Sequence, residues 1–147
     1  MASPVYPIPR PPIFALRVGK SATGFGLFAL EDIPAKKFII EYWGEVVPSE
    51  VADTIAGRYL FDLENGKTIL GGTRKNIARY ANHACRPNAE VRISKDRVYL
   101  YSTKRIKAGE EVNFDYGEEY FDTFITKQKC ACRTCVRRRE KVPKSKA

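Results

Sequence analysis

Three stretches of this 147-residue chain combine side chains that can do chemistry. RYANHACRPN, residues 79–88, sets the only histidine, His83, between Asn82 and Cys85, with Arg79 close before it. TGFGLFALED alternates Gly24, Phe25 and Gly26. EEVNFDYGEEYF places Phe114 two residues ahead of Tyr116. A glycine pair so spaced is either a simple turn or a backbone that must approach a ligand closely, where a side chain would clash. A lone histidine is either a structural residue or part of a site, and Tyr116 is either a satisfied core tyrosine or a reactive hydroxyl. No carboxylate pair or serine–histidine couple points to hydrolysis. Taken one at a time, none of the three stretches decides between its readings.

The four cysteines narrow the field. Cys130, Cys132 and Cys135 crowd into C-A-C-R-T-C, and the fourth, Cys85, lies inside the histidine motif. In a reducing compartment such a cluster reads as metal ligation before disulfides, with unligated thiols as the alternative. Two-residue spacing is common for Zn²⁺.

Composition sets the frame. Hydrophobic residues make up 44% of the chain, enough for a folded domain with a modest core. No apolar run approaches the ~18 residues of a membrane span, and MASPVYPIPRPP lacks the apolar centre of a secretory signal, so an intracellular protein is expected, nuclear or cytoplasmic. The formal charge is +9, from 26 basic against 17 acidic residues, and much of the excess lies in CVRRREKVPKSKA. Such a tail is a solvated end, or it is attracted to nucleic acid or acidic protein surfaces. A small basic zinc protein that binds nucleic acid would carry clustered basic and aromatic residues on one face. Here the basic run is confined mainly to the tail, so that contact is expected to be weak. Oligomeric state is not readable.

The elements that must hold these residues are mostly strands. Five prolines in the first dozen residues predict an extended arm. IFALRVGK, GLFALED and FIIEYWGEVV read as strands, broken by GFG and by the turn IPAKK. SEVADTIAG fits a short helix capped by Ser49 and ended by Gly57. RYLFDLE and KTILGG flank a tight Asn-Gly turn. TRKNIARYANHA is a short helical or turn segment, and EVRIS, KDRVYLYST and EEVNFDY complete the strands. The expected fold is a mostly β domain of many short strands.

In chain order, GFG at 24–26, EYWGE at 41–45, YLFDL at 59–63, RYANHACRPN and GEEVNFDYG at 109–117 together resemble the SET-domain protein-lysine methyltransferases. Tyr80 in place of phenylalanine is the one mild departure within R-F-x-N-H-x-C-x-P-N. The resemblance runs from about Phe14 to Cys135. It implies several small curved sheets, β-clip-like, with short helices and a pseudo-knot in which the segment around Asn82 threads under the loop ending at Tyr116. It divides the chain into a Pro-rich arm (1–12), a SET domain (13–122) and a post-SET zinc segment with the basic tail (123–147).

The resemblance also implies roles. Gly24, Phe25 and Gly26 would contact S-adenosyl-L-methionine through backbone groups, Asn82 and His83 would hold its amino-acid and adenine portions, and Tyr59 and Arg79 lie near it. Tyr116 matches the catalytic tyrosine and also borders the cofactor. Tyr42 matches an aromatic residue of the lysine channel, and phenylalanine at Phe114 implies di- or trimethylation. Cys85, Cys130, Cys132 and Cys135 would share one Zn²⁺, although the family's C-x-C-x4-C is shortened here to C-x-C-x2-C. No cysteine-rich region precedes Phe14, and the helical insert is short, which implies an enzyme that reads few residues around its target. The implied partner is a protein with a target lysine, a histone tail being the commonest class in the family. A basic chain does not favour a basic tail overall, so Glu118, Glu119 and Asp122 would line the groove. Glu110, Glu111 and Asp115 are assigned to surface charge and loop hydrogen bonds. The competing readings are a catalytically weak SET-fold binding module and a methyltransferase of a non-histone protein.

Overall fold

The computed structural model describes residues 8–21, 24–55 and 59–115. Among the described residues, ten short strands arrange into three small sheets, as the strand-rich sequence predicts. β1 (Leu16–Ser21) pairs antiparallel with β2 (Gly24–Ala29) along its whole length. GFG is therefore not a break before a strand: it opens β2. β3 (Phe38–Tyr42) and β4 (Glu45–Pro48) come from FIIEYWGEVV, which reads as one strand but turns at Trp43–Gly44 into two different sheets.

The helix α1 spans only Ser49–Ala52. Pro48 occupies the capping position, so Ser49 is the first helical residue and not the cap; its hydroxyl instead meets Thr68 Oγ1 at 2.9 Å. β5 (Leu60–Asp62) and β6 (Lys67–Leu70) join β4 in the order β4-β6-β5. The loop between β5 and β6 is wider than a two-residue turn. The Leu63 N–H still bonds to the Lys67 carbonyl, and Glu64 and Gly66 take the positive φ values that close it.

A single 3₁₀ turn, Ile77–Tyr80, leads into the two-residue strand β7 (Asn82–His83). β8 (Ala89–Ser94) and β9 (Arg97–Ser102) form a hairpin whose two turn residues, Lys95 and Asp96, both have positive φ, the backbone that best matches strand twist. This hairpin joins β3 in the order β3-β9-β8. β10 (Glu111–Phe114) completes the first sheet, β1-β2-β10-β7.

Period-two patterning explains the core. In β9, Val98, Leu100 and Ser102 are buried while Arg97, Tyr99 and Tyr101 are half-buried; in β10, Val112 and Phe114 point inward. Leu27, Ile39 and Ile106 are also fully buried, and each such side chain contributes about 1.5–3 kcal/mol. Two turns, IPAKK and KAGEE, are tied together where Ile33 and Ile106 exchange backbone hydrogen bonds of 2.7 and 2.8 Å. No helix among the described residues is long and apolar enough to cross a membrane.

Candidate functional site

β10 is the element that gathers the site. On one side it pairs antiparallel with β2, opposite Leu27 and Phe28. On the other it pairs parallel with β7, setting Asn113 beside Asn82 and Phe114 beside His83. The Ala84 N–H continues this contact to the Phe114 carbonyl at 3.1 Å. Residues far apart in sequence, 24–26, 82–83 and 111–114, therefore lie on three adjacent strands.

Asn88, at the end of RYANHACRPN, locks the arrangement. Its side-chain oxygen accepts the Asn113 N–H at 2.9 Å, and the Asn113 side-chain oxygen accepts the Asn88 N–H at 2.9 Å. Its amide also donates to the Glu111 carbonyl at 2.8 Å. These reciprocal bonds replace the backbone ladder where regular pairing stops, and Asn88 itself is buried.

Asn82 sits at the centre. Its amide nitrogen faces the Glu111 carboxylate at 2.6 Å, the Phe25 carbonyl at 2.9 Å and Ser21 Oγ at 3.2 Å. Glu111 thus belongs to the site and is not simply surface charge. Phe25 is 60% exposed, with its ring edge-on to Tyr80 at 5.9 Å. Gly24 has φ of 117°, which a side-chain-bearing residue rarely adopts.

His83 is enclosed, with only 4% of its side chain exposed. Nδ1 lies 3.7 Å from Asp115, and Nε2 lies 3.5 Å from Cys85 Sγ. Burial pushes the imidazole below its ordinary pKa, while the Asp115 carboxylate acts in the opposite direction and less strongly. Asp115 too is therefore a neighbour of the site.

A second cluster adjoins the first through Arg79. Its guanidinium lies 4.4 Å from the Tyr59 ring centre and 4.6 Å from that of Tyr80. It donates to the Gly72 carbonyl and, at 2.8 Å, to the Tyr80 hydroxyl. The tyrosine that departs from the family motif thus gives Arg79 an acceptor that phenylalanine would lack. Arg79 Nε is buried and has no hydrogen-bond partner among the described residues.

Tyr42 stands beyond this arginine. It is buried, its ring 5.5 Å from that of Phe61, and a Cβ at Gly71 would overlap its hydroxyl, so only glycine lets the ring lie there. Gly71 is held in turn by the Tyr59 carbonyl at 2.7 Å and by the Asn76 amide at 3.0 Å. Asn76 is fully buried and also accepts the Trp43 N–H at 3.2 Å. A continuous run of contacts thus links Tyr42, Gly71–Gly72, Arg79, Tyr80, Phe25 and Asn82.

Phe114 is buried at the end of β10. Tyr116, Cys130, Cys132 and Cys135 lie outside the described residues, as do Glu118, Glu119, Asp122, Gly57 and the basic tail. Cys85 is half-buried, and no group of three or more metal-binding side chains occurs among the described residues.

Sequence patterning missed Glu111, Asn88 and Asn76. One signal was available for Glu111: with Val112 and Phe114 inward, it shares the opposite face of the strand with Asn113. Nothing in the sequence marks Asn76, whose partners lie in other elements.

Comparison with known proteins shows the family. The family model described as "SET domain" matches residues 24–117. The chain is 36% identical over 105 residues to histone-lysine N-methyltransferase ATXR7 of Arabidopsis thaliana, covering 63% of this chain and 7% of that protein. It is 37% identical over 122 residues to histone-lysine N-methyltransferase EHMT1 of Mus musculus, covering 74% and 9%. It is 35% identical over 121 residues to a histone-lysine N-methyltransferase, H3 lysine-4 specific, of Yarrowia lipolytica, covering 74% and 10%. The chain therefore spans a tenth or less of the length of these relatives.

Proposed function

This chain belongs to the SET-domain family, and we propose that it is an S-adenosyl-L-methionine-dependent protein-lysine N-methyltransferase acting on a histone tail inside the cell. The observation that carries this reading is the placement of β10 between β2 and β7, which brings the GFG, Asn-His and Phe114 segments onto neighbouring strands.

The residues suit that cofactor, whose amino-acid portion carries both an acceptor carboxylate and a donor ammonium. Arg79 Nε is a donor without a partner, and Asn82 Oδ1 accepts no hydrogen bond, among the described residues. Gly24–Gly26 and Asn82–His83 would hold the cofactor, with Tyr59 and Arg79 at its edge. When bound, it supplies a methyl group already activated on a sulfonium.

The protein's task is to present a neutral amine. A free lysine has a pKa near 10.4, so only ~0.04% is neutral at pH 7. Tyr42, buried against Phe61, provides an aromatic wall that disfavours the ammonium by desolvation. Tyr116 would orient the amine through its hydroxyl, close to the near-attack geometry. At Phe114 no hydroxyl is present to anchor a water, which supports di- and trimethylation.

We assign Cys85, Cys130, Cys132 and Cys135 to one Zn²⁺ in a post-SET segment. Cys85 supports this by its place two residues after β7, so that a metal held there would lie near the site. Labelled cofactor incubated with a histone mixture, beside a lysate depleted of histones, tests the reading. Label should enter histones, and Tyr116→Phe should abolish most of it while product binding by calorimetry persists. Label only in the depleted lysate would overturn the histone assignment, and full activity of Tyr116→Phe would overturn Tyr116.

A further inference from the structure

We propose that Glu111 is a positioning residue of the cofactor site, fixing the Asn82 amide so that its carbonyl oxygen is presented to the ligand. The inference rests on the cofactor reading above and goes beyond it by assigning the residue that orients Asn82.

An amide group can point either its nitrogen or its oxygen at a given neighbour, and the neighbours decide. Around Asn82 the nearest is the Glu111 carboxylate at 2.6 Å, followed by the Phe25 carbonyl at 2.9 Å. Both are acceptors only. A flipped amide would set its oxygen against a carboxylate and a carbonyl, so the nitrogen must face them. Ser21 Oγ at 3.2 Å is neutral on this point, since a hydroxyl can donate or accept. The charged acceptor makes the shortest of the three bonds, as charge-assisted hydrogen bonds do. Asn82 Oδ1, turned the other way, has no partner among the described residues. It is left as an acceptor for an N–H donor such as the ligand's ammonium.

Glu111 is itself well fixed. Its backbone pairs with β2 opposite Phe28, and its carbonyl accepts from the buried Asn88. Its carboxylate lies over Gly26, where a Cβ would overlap it. The second glycine of GFG is thus the space in which the carboxylate reaches Asn82. Three motifs distant in sequence meet at one oxygen atom.

The test uses the whole chain with Glu111→Ala, Glu111→Gln, Asn82→Ala and the Glu111→Ala/Asn82→Ala pair. Calorimetric titration with S-adenosylhomocysteine gives Kd, and steady-state kinetics separates KM for the cofactor from kcat. Glu111→Ala should weaken product binding about tenfold, the scale of a hydrogen bond to a charged group, with the loss falling on KM more than on kcat. Glu111→Gln keeps an acceptor oxygen at the same reach and should recover most of the affinity. In the Asn82→Ala background, removing Glu111 should add little, because its effect passes through Asn82.

Unchanged affinity in Glu111→Ala would overturn the proposal. So would a Gln variant as weak as the Ala variant, or additive losses in the double variant. If Glu111→Ala does not fold, Glu111→Asp takes its place: its shorter reach should weaken binding, and parental affinity would overturn the proposal. Failure of the unchanged chain to bind S-adenosylhomocysteine would overturn the cofactor reading and this inference together, whereas loss confined to the variants separates the two.

Discussion

Replacing Arg97 with leucine should lower stability by about 3 kcal/mol, because it strands a buried carboxylate. Glu41, near the C-terminal end of β3, is only 2% exposed, and Arg97 grips it twice, Nε to Oε2 at 2.9 Å and a terminal nitrogen to Oε1 at 2.7 Å. That carboxylate also holds down the N-terminal arm, accepting the Arg10 N–H at 2.7 Å, while Arg97 donates to the Ile8 carbonyl at 2.9 Å. The Arg10 guanidinium then lies 3.9 Å from the centre of the Phe38 ring. Breaking a fully buried pair costs roughly 3–5 kcal/mol. Arg97 retains 32% side-chain exposure and the Arg10 N–H stays on Glu41, so the low end applies. At about 2–4 °C per kcal/mol, the expected fall in Tm is about 6–12 °C. Glu41→Leu should cost less, since Arg97 already reaches water. The double replacement should recover most of the loss, because no charge is then left unpaired. Urea unfolding followed by circular dichroism and by fluorescence of Trp43, the only tryptophan, measures all three. An Arg97→Leu variant within about 1 kcal/mol of the parent, or a double variant no better than the single one, would refute the reasoning.

Other outcomes follow from the same structure. Phe114→Tyr should restrict the product towards monomethyl-lysine in a mass-spectrometric time course; a parent enzyme that stops at one methyl under excess cofactor would remove Phe114 from this role. Elemental analysis of native protein should find one Zn²⁺ per chain, and chelation should lower cofactor affinity more than it unfolds the body of the domain. The Asp32 carboxyl is held below its ordinary pKa, chiefly by the Ala108 N–H at 2.8 Å and then by Arg105. A lowered folded pKa adds stability above the unfolded value of 3.8, and that stability is lost as pH falls through the folded one. Asp32→Asn should therefore be less stable than the parent at neutral pH, and the two should converge in acid; a gap that persists in acid would contradict this.

The strands were legible because runs of aromatic and β-branched residues between turn signals are a local signal, and KDRVYLYST is such a run. What local pattern does not carry is where a strand-like run changes sheet. FIIEYWGEVV is strand-like throughout, and its turn depends on Gly44 backing onto the Leu70 carbonyl, where a Cβ would overlap it. Nor could a glutamate inside that run announce that it is buried, since its partner Arg97 lies 56 residues away. The site divides in the same way. Its motifs were readable as a set, because their order and spacing together match one family pattern over residues 24–117. The side chains that assemble the motifs were not. Glu111 reaches Asn82 across 29 residues, and Asn82 reaches Phe25 and Ser21 across 57 and 61. Each of these bonds exists only because β10 enters between β2 and β7, and a polar residue on a strand looks the same in sequence whether it faces water or a distant amide. Where strands are this short, backbone ladders end after two to six residues, and buried side-chain amides such as Asn88 and Asn76 must satisfy the groups left over. A fold of many small sheets thus places unusual weight on polar side chains between elements, and those are the residues whose replacement should disturb the site without touching a ligand.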